Sequence, residues 1–275
     1  MRIVFFGDIH FSRAKSERER IDTEEAVHAL KEMIPIFQSL KPDLFVAMGD
    51  FIQKSKRKEA ETELDEILEV LQPLSKKLLF LKGNHEEMSF GSKYFSSLLE
   101  KHQFNSSLHG SQTIDLFNIH RLEVVEFWKK REKTAFVPKH QIEELKKHAD
   151  KPTIVLMHQA PKRISMDHNF YYERLGNINS QAVSDEKFYS TISKIPNIKL
   201  IVHAHTHWHS ATFTGSIPTI GNPSFSEMIG SKLGPMPSAQ SYGLLDISID
   251  DKNQMKTRWQ SLSHKLAYTS MEFLL

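Results

Sequence analysis

Short, unbroken apolar runs alternate with stretches of helical periodicity through the first third of the chain. Ile3 to Phe6 is continuously apolar and stops at Gly7, Leu44 to Met48 stops at Gly49-Asp50, and Leu78 to Leu81 stops at Lys82-Gly83-Asn84-His85-Glu86. Unbroken rather than alternating apolarity fits strands covered on both faces. Between the first two, Ala26, Leu30, Met33, Ile34 and Phe37 recur at helical spacing from about Thr23 to Leu40, with Asp22 and Glu25 placed as a capping box and Pro35 set to kink or split the helix. Between the second and third, Glu59 to Leu71 carries Leu64, Ile67, Leu68 and Leu71 on one face and acids opposite. Strands alternating with helices in this way predict parallel βαβ units with right-handed crossovers, whose ligands gather beyond the carboxyl ends of the strands.

Further along, Tyr94, Leu98 and Leu99 suggest a short helix, Ile114 to Phe127 suits one or two strands, and Pro138 can open a helix running to His148. Thr153 to Met157 is a β-rich run ending at His158, and Asp167 to Gln181 reads as a long polar loop. Asp185 is placed to cap a helix bearing Phe188 and Ile192, and Lys199 to Val202 forms another strand that runs into His203-Ala204-His205-Thr206-His207-Trp208-His209. Ala211 to Phe213, Pro218 to Ile220, Gly243 to Ile249 and Met255 to Leu262 look like short strands of a second, largely antiparallel sheet. No repeat or linker marks a boundary, and 275 residues suit one large core, so residues 1–275 are read as a single α/β domain.

Charge changes little: 36 Lys and Arg against 34 Asp and Glu give +2, no broad field for nucleic acid or an anionic membrane. The absence of cysteine changes more, since it removes thiolate metal sites and leaves His, Asp, Asn and Glu as ligands, with 15 histidines available. The apolar N-terminal run is too short for a signal peptide, and no stretch approaches the roughly 18 apolar residues of a spanning helix. A soluble, cytoplasmic protein without membrane contact is expected.

The strand ends supply, in order, Asp8-x-His10, Gly49-Asp50, Gly83-Asn84-His85-Glu86, His158 and His205-x-His207. A single histidine or aspartate at such a place is usually a solvated loop residue or a helix cap. A core does not need metal-type ligands at every strand exit, so the five together point to chemistry. Imidazole and oxygen donors without thiolate suit two ions such as manganese, iron or zinc, and paired ions of this kind activate water and stabilise the oxygens of a phosphoryl group. Asp50, on the middle strand of the first three, is the choice for a bridging carboxylate.

This ordered set resembles that of the calcineurin-like metallophosphoesterases, whose D-x-H, G-D, G-N-H-[DE], H and G-H-x-H pattern is matched across residues 8 to 207. The resemblance implies a double β-sheet sandwich flanked by helices in four layers. It implies that Asp8, His10 and His207 hold one metal and Asn84, His158 and His205 the other, with Asp50 between them. A hydroxide between the ions would attack phosphorus in line, and His85 would protonate the leaving oxygen or steady the developing charge. Two departures stand out. Ala204 replaces the usual glycine before the last H-x-H, and no second aspartate follows Asp50 in Asp50-Phe51-Ile52-Gln53.

The function expected is hydrolysis of phosphate esters, with a diester of a nucleotide or another small molecule as substrate. A phosphomonoesterase, a DNA nuclease and a catalytically silent scaffold are the alternatives. Weaker signals have bland readings beside them. The basic run Lys54 to Lys58 suits a phosphate backbone or the solvated start of a helix. Tyr171, Tyr172 and Arg174 suit a nucleobase and phosphate or ordinary loop packing. Asn222-Pro223-Ser224 suits a return to the site or a plain turn, and His203 and His209 suit supporting or surface positions better than ligation.

Overall fold

The computed structural model describes residues 1–13, 26–53, 56–129, 132–162, 183, 186–225, 241–249, 255–263 and 266–274. The first half runs β1 (Arg2–Phe6), α1 (Ala26–Ser39), β2 (Leu44–Ala47), α2 (Arg57–Leu71), a 3-10 turn (Gln72–Lys77), β3 (Leu78–Phe80), α3 (Asn84–Ser89) and α4 (Ser92–Lys101). It continues with β4 (Gly110–Ile114), β5 (Phe117–Leu122), the hairpin β6 (Val125–Lys129) and β7 (Glu132–Phe136), α5 (Lys139–His148) and β8 (Thr153–Met157). The last part is α6 (Glu186–Ile192), β9 (Ile198–His203), β10 (Ser210–Thr214), β11 (Ile217–Gly221), β12 (Ser241–Ile249), β13 (Met255–Ser263) and β14 (Leu266–Leu274).

Two six-stranded sheets carry the molecule, ordered β14-β13-β12-β1-β2-β3 and β10-β11-β9-β8-β5-β4. The unbroken apolar strands follow from what covers them. Ile3 and Phe5 of β1 point into a core shared with Ile154, Leu156, Leu200 and Val202 of the other sheet, while Val4 and Phe6 pack with Leu30, Phe37, Leu64 and Ile67 of α1 and α2. On the outer face of the second sheet Val155 and Met157 pack with Leu145 of α5 and Ile192 of α6. The result is helix, sheet, sheet, helix, the four-layer α/β sandwich expected. Both strand faces must be apolar where both are enclosed.

The C-terminal strands depart from expectation. Rather than forming a second antiparallel sheet, β12 pairs antiparallel with β1, and β13 and β14 follow it outward on the first sheet. β2 occupies one side of β1 and leaves its other edge open, so the last strands complete it. The second sheet is mixed: β5, β8, β9 and β11 are parallel, with β4 and β10 antiparallel at the margins. Pro35 does not split α1, which continues to Ser39 at the cost of one backbone hydrogen bond. Asp22, Glu25, Asp185 and the loop Asp167 to Gln181 lie outside the described residues. Among those described, no helix is long and apolar enough to cross a membrane.

Candidate metal centre

The ends of β1, β2, β8 and β9, with the start of α3, meet at one edge of the sandwich. Main-chain bonds fix their register: Asp8 N–H donates to Gly49 O at 2.9 Å, His10 N–H to Asp50 O at 3.0 Å, and Ala204 N–H to His158 O at 2.9 Å. Asp8, His10, Asp50, His205 and His207 all have φ between 50° and 67°, the left-handed region that non-glycine residues avoid. Each costs on the order of 1 kcal/mol or more, and such residues persist where the surroundings demand a particular side-chain direction. Gly49, at φ +95°, and Gly83 permit the closest approach: a Cβ on Gly83 would lie 2.1 Å from Asp50 Oδ1.

Every residue expected at the site is brought there. Asp8, His10, Asp50 and His207 offer ligand atoms all within 4.8 Å of one another, and so do Asp50, His158 and His205, so Asp50 belongs to both groups. Asn84 Oδ1 lies 3.2 Å from His158 Nε2, beside the second group. His10 Nε2 and His207 Nε2 converge to 2.9 Å, and His158 Nε2 stands 3.2 Å from Asp50 Oδ2. His85 stands at the mouth: its Nε2 is 4.0 Å from Asp50 Oδ2, and its ring meets that of His10 edge-on at 4.6 Å. Asn84 and His85 open the short helix α3.

The donors suit cations. Met48 O can only accept, so the 2.8 Å contact with His158 Nδ1 puts a proton there and turns Nε2 toward Asp50. Gln53 Oε1, 3.3 Å from His10 Nδ1, does the same for His10; the chain thus uses the position three after Asp50 to orient His10. Asp8 Oδ1 is buried and accepts no hydrogen bond among the described residues. Burial raises the Asp8 carboxyl to about 6, although His207 and His158 pull against it. Burial opposes charge on His158, yet the Asp50 carboxylate outweighs it and pushes the imidazole up to about 10. Burial acts against ionised Asp50 as well, and His158 and His85 overcome it, holding that carboxyl well below its usual range. His10 is driven well below its ordinary value by burial and by His85 and His207. Two buried carboxylates facing neutral or displaceable nitrogens form a hole for positive charge.

Three supporting residues were harder to read from the sequence. Glu86, fully buried, accepts N–H bonds from Asp50 at 2.9 Å, Phe51 at 2.8 Å, Ile52 at 3.3 Å and Gly83 at 2.9 Å, and so ties the loop after β2 to the loop after β3. Its carboxyl is raised to about 7 by burial and then by Asp50. Ser224 Oγ donates to Asp8 O at 2.9 Å and its N–H to His207 O at 3.2 Å, so Asn222-Pro223-Ser224 does return to the site. Lys82 is enclosed beside Glu87 and Glu123. The available signals were Lys82 directly after the apolar run Leu78 to Leu81 and Glu86 within Gly83-Asn84-His85-Glu86, while for Ser224 the turn Asn222-Pro223-Ser224 suited a return to the site no better than a plain turn.

Ala204 needs no left-handed backbone, because that conformation falls on His205 and His207; its methyl is enclosed in the core between the sheets. His203 Nδ1 donates to Ala204 O at 2.9 Å, and His209 Nδ1 lies 2.9 Å from Ser261 Oγ, so both are supporting rather than ligand positions. Arg57 and Lys58 are exposed in the first turn of α2, as a solvated helix start requires, while Lys54 and Ser55, like Tyr171, Tyr172 and Arg174, lie outside the described residues.

A family model described as calcineurin-like phosphoesterase matches residues 1–209. No curated protein matches the chain. Among solved structures, a dimetal phosphatase from Danio rerio superposes with a TM-score of 0.70 at 11% identity, covering 99% of this chain and 98% of that one. The protein TT1561 of Thermus thermophilus superposes with a TM-score of 0.57 at 13% identity, covering 93% and 97%. At such identities these likenesses concern the fold.

Proposed function

The chain belongs to the calcineurin-like phosphoesterases and is a metal-dependent hydrolase of phosphate esters, and within that class we propose a phosphodiesterase acting on a nucleotide or another small diester. The observation that carries the reading is the membership of Asp50 in both donor groups. Asp8, His10 and His207 would hold one ion and Asn84, His158 and His205 the other, drawn from manganese, iron or zinc, with Asp50 common to both. Bound there, paired ions supply an activated water and offset charge on the phosphoryl oxygens. The dimetal phosphatase of Danio rerio is consistent with a two-ion arrangement on this fold.

The protein's own groups do the rest. His85 belongs to neither donor group, and its side chain is 20% exposed where that of Asp50 is 1%. Its backbone N–H donates to Asp50 Oδ1 at 2.9 Å, which fixes it relative to the shared carboxylate. From this place the imidazole is suited to hand a proton to the departing oxygen. Preference for a nucleotide rests on the sequence after His158, where Tyr171, Tyr172 and Arg174 offer aromatic faces and a cation.

The test is hydrolysis of bis-p-nitrophenyl phosphate by manganese-loaded protein, beside p-nitrophenyl phosphate and single-stranded DNA. Diester turnover faster than that of the other two supports the proposal. Faster monoester or DNA cleavage replaces the diester assignment with one of those activities.

A further inference from the structure

The Lys82 side chain is fully buried, although lysine is rarely enclosed without partners. Its ammonium donates to Glu123 Oε1 at 2.6 Å, to Ser92 Oγ at 2.6 Å and to the Glu87 carboxylate, which uses all three N–H groups. Ser92 in turn donates to Glu123. These partners come from three separate places: Glu87 from α3, Ser92 from the first residue of α4, and Glu123 from the link between β5 and β6. Glu123 is itself held, its N–H donating to Gln141 Oε1 of α5 at 2.8 Å.

A buried ion cluster with one cation and two carboxylates is a poor way to gain stability, since well-packed apolar side chains do as well or better. What it provides is direction. α3 is six residues long, too short to keep its orientation unaided. One anchor is Glu86, which grips the backbone around Asp50 and Gly83. The Lys82 cluster is the second, gripping α3 through Glu87 and binding it to α4 and the β5–β6 link. Asn84 and His85 lie between the two anchors.

We propose that Lys82 is a positioning residue for His85: its three directed bonds stop α3 from pivoting about Glu86 and so keep the imidazole facing Asp50. This rests on the role given to His85 above. Asn84 is steadied by its neighbour Gly83, which is pressed against Asp50, so loss of the second anchor moves His85 more than it moves the metal ligands.

Three variants test this: Lys82→Met, the charge-balanced pair Lys82→Met with Glu123→Gln, and Lys82→Arg. The paired variant keeps the experiment informative if Lys82→Met fails to fold around its unpaired acids. For manganese-loaded protein with bis-p-nitrophenyl phosphate, kcat of the folded Met variant should fall by about 10²-fold, the scale expected for a displaced catalytic group. KM and bound manganese should stay within about twofold, and Lys82→Arg should recover part of kcat. Unchanged kcat in the folded, metal-loaded paired variant overturns the proposal, as does a loss of kcat that simply tracks loss of metal. Nitrogen-15 spectra of histidine-labelled, zinc-loaded protein supply a readout independent of turnover: the His85 ring signals should shift or broaden in the paired variant while those of His158 and His205 hold. If wild type turns over no phosphate ester, the functional reading fails, and unaltered His85 signals then overturn the positioning role separately.

Discussion

At the ends of β1, β2 and β3 buried carboxylates of Glu86 and Glu63 add to the backbone–backbone bonds, whereas past β8 and β9 the described bonds are mostly backbone to backbone, with His205 N–H to Asp8 Oδ2 as a carboxylate contact. Glu86 holds four amide groups of the loops after β2 and β3, and Glu63, buried on α2, accepts Ser12 Oγ–H at 3.2 Å and Arg13 N–H at 2.9 Å just past His10. On the second sheet, Ala204 N–H donates to His158 O, Asn222 N–H to His203 O and Ser224 N–H to His207 O. One half of the site thus adds charge enclosed beneath it to the register of its strands, and the other rests chiefly on register. The charged half also contains both candidate carboxylate donors, Asp8 and Asp50, so without cations buried acidic groups crowd together there. Bound metal would therefore matter more to the first half than to the second.

The largest expected effect follows from the shared carboxylate. Asp50→Asn should lower diester turnover about 10³-fold, because loss of several kcal/mol of electrostatic stabilisation acts directly on the reacting phosphoryl group. Turnover within tenfold of wild type, measured under saturating manganese, would remove Asp50 from its central place. Next, Glu86→Gln substitutes a neutral amide for the acceptor of four N–H bonds and should cost about 3 kcal/mol, or a fall of roughly 10 °C in Tm by calorimetry. An unchanged Tm would break the contrast between the halves.

Metal affinity should rise by about tenfold or more between roughly pH 5.5 and 7.5, since ligands must give up protons to bind. The sign follows from Asp8, raised to about 6, and His158, raised to about 10. Both stand above their unfolded values, so the stability they lend the metal-free fold is complete at acid pH. It is lost as pH rises, near 6 for Asp8 and near 10 for His158. Manganese titration calorimetry in two buffers of different ionisation enthalpy would report the released protons; pH-independent binding would contradict the account. The smallest effect belongs to the second half. Ser224→Ala removes the bond to Asp8 O while the N–H bond to His207 O remains, and should cost about 1 kcal/mol, or roughly 3 °C in Tm. A loss as large as that of Glu86→Gln would erase the comparison.

The candidate donors could be picked out because Asp8, Asp50 and His158 each follow an apolar strand, and a core does not need metal-type side chains at every strand exit. The double sandwich was legible in part for the same reason. The placement of β12 to β14 was not, because neither the enclosed positions that open β12 nor the alternation at the start of β13 says which sheet receives a strand. The support beneath the site was harder still: Glu86 acts on Asp50, Phe51 and Ile52, more than thirty residues back. Its role depends on how two loops meet, which local periodicity does not encode. Gln53 shows the converse, a position where the expected acid is missing and an amide oxygen meets His10 instead.

The most direct test of the shared-carboxylate centre is the stoichiometry of bound manganese, measured by elemental analysis after equilibrium dialysis of wild type and Asp50→Asn. Wild type should retain two ions per chain, and Asp50→Asn should lose one or both under the same conditions. One ion in wild type, or two ions that survive the substitution undiminished, would contradict the account.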